Sequence, residues 1–277
     1  MGIDARKLKE EYIFTGKGPA AELLQEMDRI SAMAKKFESR VFLVRWSALA
    51  VFLFFLVLGI ALTGFFIFVG FVAAVGILVG SMVMAASGVV AGRAEFLRLN
   101  LSMLSQDAGS KGSFQVMLRL RPNRQKLSEV PNPRHKGGRE IWFRDSWLTL
   151  NGRLSDGTSI YESCTDLVRQ RIRSNANGKR KTKERTNCSL RIQLTYDPLK
   201  YGKAPAAARA IQNPFRLPGT AQMKAFTFDE KSLAVKALVR SNPTGDALHA
   251  ANEAILLGAY RILNLARKSR PAVGGAQ

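Results

Sequence analysis

Seven cations, Arg169, Arg171, Arg173, Lys179, Lys181, Lys183 and Arg185, occupy odd positions on either side of the segment Ser174-Asn175-Ala176-Asn177-Gly178. Side chains alternate across a β-strand. If the five-residue segment is a loop between two strands, Arg173 lies opposite Lys179, Arg171 opposite Lys181 and Arg169 opposite Lys183, with Arg185 further on. All seven then share one face, while Val168, Ile172, Leu190, Ile192 and Leu194 turn to the other. Opposed like charges repel, so the chemistry open to this face is electrostatic: it accepts an anion. Each cation is expected to act as a charge donor and none as a catalyst. A two-residue turn at Asn177-Gly178 would flip the parity and divide the cations between faces. The favoured register also sets Cys164 opposite Cys188, read as two packed, reduced thiols.

Other chemistry finds no residues to carry it. The chain has no phosphate-binding glycine loop, no Gly-x-Ser-x-Gly elbow, no His-Glu-x-x-His helix and no Cys-x-x-Cys pair. Two cysteines and two histidines, His135 and His249, lie apart without ligand spacing, so neither a metal nor a cofactor is expected. The expected role is non-enzymatic: an adaptor or scaffold within a complex, presenting the cationic hairpin to an anionic partner. A nucleic-acid-binding or nucleotide-sensing protein is the first alternative and a membrane-bound enzyme the second.

The basic character is concentrated. The formal net charge is +21 over 277 residues, and Lys111 to Lys203 hold 21 Lys plus Arg against 8 Asp plus Glu. Anionic lipid head groups and nucleic acid are the two partners such a surface suggests; other proteins, or a second copy of the chain, would use its apolar seams.

The positioning elements follow from periodicity. From Trp46 to Gly92 no Asp, Glu, Lys, Arg or His occurs, and arginines border the run. Its length suits two membrane crossings of roughly 20 residues each, with both termini on the cytoplasmic side and a bacterial inner membrane favoured. Gly76, Gly80, Gly88 and Gly92 form a small-residue stripe for helix packing in that hairpin, with self-association as the alternative. The expected fold class is therefore an α+β membrane protein: a two-helix transmembrane hairpin, a basic cytoplasmic β-rich domain and flanking N- and C-terminal helices.

In chain order, residues 1–19 are expected as a flexible lead-in and 20–45 as an amphipathic helix with an apolar seam from Leu23 to Val44. The hairpin takes 46–92, a helix and linker 93–110, and the β-domain 111–203. There Phe114, Val116, Leu118 and Leu120 alternate as in a strand, residues 122–139 form a long loop, and Asp156-Gly157 is preferred to Asn151-Gly152 as a hairpin tip. A linker at 204–224 leads to the helical region 225–270. There Asp229 caps one helix, and a second from Gly245 to Lys268 packs on the N-terminal helix. Residues 271–277 form a disordered tail.

Overall fold

The computed structural model describes residues 11–61, 65–86, 91–109, 112–131, 138–174, 180–201, 203–211, 214–240 and 245–268. Strand β1 (Ile13–Pro19) leads into α1 (Ala20–Ala61), α2 (Phe65–Ala86) and α3 (Ala91–Ala108). Five strands follow: β2 (Ser113–Arg119), β3 (Gln125–Pro131), β4 (Arg139–Arg153), β5 (Ser159–Ser174) and β6 (Arg180–Thr195). Two short helices, α4 (Pro198–Tyr201) and α5 (Ala204–Ala210), precede β7 (Ala221–Phe228), β8 (Ser232–Arg240) and α6 (Gly245–Lys268).

All strands join one antiparallel eight-stranded sheet in the order β1-β2-β4-β5-β6-β8-β7, with β3 beside one end of β4. Period-two alternation gives the sheet one apolar face. Phe114, Val116 and Leu118 of β2, Leu190, Ile192 and Leu194 of β6, and Leu233, Val235 and Val239 of β8 are buried, in one core with Leu23 and Met27 of α1, Leu97 and Leu101 of α3 and Ile255 and Ile262 of α6. A helical layer thus covers one face of the sheet. Gly152 is needed inside β4 because a Cβ there would lie 2.0 Å from the ring of Phe114.

The hairpin expected at 46–92 is corrected. Among the described residues no helix is long and apolar enough to cross a membrane. The described residues of the uncharged run are shared among the last part of α1, all of α2 and the first two residues of α3. α1 runs through the expected membrane boundary at Trp46 as one helix of 42 residues, and α2 packs along it. The membrane-protein class, the integral-membrane and inner-membrane location and the cytoplasmic placement of both termini all rested on that run and are corrected with it. Phe42, Leu43, Trp46, Leu53, Phe54, Phe68 and Phe71 are exposed along this helix pair, and no described residue covers them.

Several expected elements take another form. The lead-in contains β1, paired with β2, and the loop expected at 122–139 contains β3, paired with β4. The helix expected after Asp229 is strand β8, because the Asp229 carboxylate closes a turn instead. It accepts hydrogen bonds from the backbone N–H of Lys231 at 2.8 Å and of Ser232 at 2.6 Å, an arrangement that competes with helix initiation. The hairpin tip does fall at Asp156-Gly157, where Gly157 has φ of +89° and Asp156 accepts from the N–H and hydroxyl of Thr158. α6 has the bounds expected for the last helix, but both it and α1 pack on α3.

One ionic cluster ties the helical layer to the sheet. Arg93, in the first turn of α3, donates from Nη2 to Asp145 Oδ2 of β4 at 2.6 Å and to Asp166 Oδ2 of β5 at 2.8 Å. Its Nη1 donates to the carbonyl of Arg119 at 3.1 Å, and its guanidinium lies 5.3 Å from the ring centre of Trp147. Trp147 donates from Nε1 to Asp166 at 3.0 Å. Removing one member of a buried ion pair leaves the other charge uncompensated. Arg93→Met is expected to lower unfolding free energy by about 3 to 5 kcal/mol, read as a lower urea midpoint with an unchanged slope. An unchanged midpoint would mean the cluster is not what joins the layers.

Candidate functional site

β5 and β6 pair over their whole described length, with Arg169 opposite Arg185, Arg171 opposite Lys183 and Arg173 opposite Lys181. This register differs by two residues from the one drawn from the loop alone, and a shift of two preserves parity. The even positions Ile160, Glu162, Cys164, Asp166 and Val168 are buried toward the helices; the odd positions therefore face away from them. Lys179 lies outside the described residues. The cysteines come out diagonal instead of opposite: Cys164 pairs with Leu190, and Asp166 pairs with Cys188. Both are free and buried, and burial, then the neighbouring Cys188, pushes the Cys164 thiol well above its ordinary value.

Register extends this face across the sheet. Lys17 of β1, Arg144 of β4, Arg191 of β6 and Lys236 of β8 share it. Among the described strand residues it carries one carboxylate, Glu140 of β4, opposite Arg171. Glu140 contacts Arg169 Nε and lies 3.6 Å from Arg171 Nε. The other acids of the central strands, Asp145, Glu162 and Asp166, have the opposite parity and point into the helical layer. Glu184 has that parity too, and it pairs with Arg124 at 2.7 Å.

The face is concave where β4, β5, β6, β7 and β8 meet. A trough of about 610 Å³ lies there, lined by the hydroxyls of Ser146, Thr149, Tyr161, Ser163, Thr165, Ser189 and Thr227 and by Arg144, Arg191 and Lys236. Two partly exposed aromatic rings accompany the cations. Arg169 lies over Trp142 at 5.1 Å and Arg191 over Tyr161 at 6.0 Å. Trp142 and Trp147 of β4 are five residues apart, so alternation sets them on opposite faces: Trp147 is buried and Trp142 stays on the open face.

The small-residue stripe does not make the close contact between α1 and α2. A Cβ at Gly76 or Gly80 would meet nothing within 4 Å, whereas one at Gly70 would lie 2.2 Å from the Phe55 Cβ. Gly88 lies outside the described residues, and Gly92 lines a small cavity of about 140 Å³ beside Arg93. Sequence reading missed Arg93 as a structural residue. The available signal was Asp145 and Asp166, carboxylates at inward strand positions that required a cation.

A second buried polar group joins the same layers. Asn100 of α3 donates to Glu162 Oε2 and accepts from Asn252 of α6 at 2.9 Å. Burial raises the Glu162 carboxyl from 4.5 to about 7, against the opposing pull of the Asn100 bond. Among the described residues no group of three or more His, Cys, Asp and Glu could hold a metal ion. No protein-family model matches the chain, and neither a curated protein nor a solved structure matches it.

The raised Glu162 value has a definite sign. The folded state holds a proton that the unfolded state releases near 4.5, so the stability linked to this group is complete below that pH and lost as pH rises through about 7. The loss amounts to about 3 kcal/mol. The melting temperature should fall between pH 5 and 7.5, and Glu162→Gln should flatten that fall. Parallel curves for the two proteins would refute this.

Proposed function

We propose that the chain is a non-enzymatic adaptor that presents the open face of its sheet, centred on the β5–β6 hairpin, to an anionic partner. One observation carries the reading: three like-charged cross-strand pairs in succession, Arg169–Arg185, Arg171–Lys183 and Arg173–Lys181, share a face with Glu140 as its one described strand carboxylate. Pairs of this kind repel in the free protein. An anion lying along them removes the repulsion and releases counterions to solvent.

This physics favours an extended polyanion over a small one. Residues directly opposite are about 5 Å apart and successive pairs on one face about 7 Å, so the cations form a regular double row. A repeating anion engages several at once, and binding then weakens steeply with salt. Glu140 contacts Arg169 and lies 3.6 Å from Arg171 Nε, which makes Arg173, Lys181 and Lys183 the better probes.

Heparin titrated into the full-length chain at several salt concentrations tests the reading. Replacing Arg173, Lys181 and Lys183 by Ser should weaken binding more than tenfold at low salt and reduce the slope of log affinity against log salt by about 2. The same affinity and slope in both proteins would exclude this face as the anion site.

A further inference from the structure

We propose that the partner is a single-stranded nucleic acid lying along β5 and β6, with bases stacked on Trp142 and Tyr161; this rests on the anion-binding reading above and names its ligand. The two strands, Ser159–Ser174 and Arg180–Thr195, give a track of roughly 50 Å at about 3.3 Å per residue. One end carries the paired cations, and the other runs into the hydroxyl-lined trough. Charge alone would suit any polyanion. The aromatic rings and the concavity separate the candidates.

Trp142 and Tyr161 each pair with a guanidinium on the open face. Base stacking on aromatic rings, supplemented by arginine, is how single strands are held without sequence preference. A sulfated polysaccharide has no flat π surface to use such rings. A lipid surface is broad and nearly flat, so its head groups meet the rim of the trough and leave the recessed hydroxyls of Ser163, Thr165 and Ser189 unused. A duplex presents phosphates but keeps its bases stacked inside. A single strand uses all three features: phosphates on the cations, bases on the rings, and sugar or base edges on the hydroxyls.

The test measures fluorescence anisotropy of a labelled oligothymidine of about 12 nucleotides against full-length protein, alongside a duplex of equal length, heparin, and vesicles of phosphatidylserine and phosphatidylcholine. The expected result is tighter binding of the single strand than of the duplex. Trp142→Ala with Tyr161→Ala should weaken single-strand binding by roughly tenfold or more while leaving heparin binding within about twofold. Trp142→Phe with Tyr161→Phe keeps both rings and should bind like the parent protein, which separates stacking from loss of fold. Binding of heparin or vesicles without binding of the oligothymidine would overturn this inference and leave the anion-binding reading standing. So would equal oligothymidine affinity in the alanine variant. Binding of none of the four probes would overturn both.

Discussion

Arg93 meets two carboxylates from adjacent strands inside the protein, and much of the architecture depends on that contact. A buried guanidinium is tolerated only with opposite charge and hydrogen bonds at hand; Asp145, Asp166 and the Arg119 carbonyl supply them. The contact holds the first turn of α3 against the middle of β4 and β5. It also constrains parity, because placing Asp145 and Asp166 inward directs Arg144, Thr165 and Leu167 outward. A one-residue slip of either strand would strand a carboxylate and exchange the two faces. The arginines at 169, 171 and 173 therefore face outward partly because Asp166, an odd number of residues before each, faces inward.

That asymmetry links fold to function. The helices cover one face of the sheet, and nearly all strand carboxylates point toward them or pair on their side. The uncovered face keeps hydroxyls, two partly exposed aromatic rings and a row of cations. An antiparallel sheet can leave one face to solvent, but repeated like-charged cross-strand pairs weaken it. Such an arrangement is more stable with an anion present than without one, which makes the open face the part of this molecule most suited to binding.

The sequence showed what depends on strict periodicity. Phe114, Val116 and Leu118 marked β2, the last helix was expected at its observed bounds, Gly245 to Lys268, and odd numbering placed the cations of β5 and β6 together even though their register was off by two. Less regular elements were illegible for physical reasons. β3 is exposed along its length and offers no apolar alternation; β1 is short and glycine-containing at the sheet edge. Ser232 to Arg240 mixes Leu, Ala and Val, which suit either a helix or a strand, and the Asp229 turn decides between them. The uncharged run at 46–92 was read by length as two crossings, but among the described residues no helix is long and apolar enough to make one. Arg93 has no local motif.

Lysine footprinting by acetylation and mass spectrometry, with and without a bound polyanion, tests the central claim most directly. Lys181, Lys183 and Lys236 lie on the open face; Lys126 is exposed on the opposite side of the sheet and Lys36 on α1. The account predicts that a saturating oligothymidine or heparin protects the first three and leaves Lys126 and Lys36 as reactive as before. Protection of Lys36 or Lys126 with Lys181, Lys183 and Lys236 unchanged would contradict it.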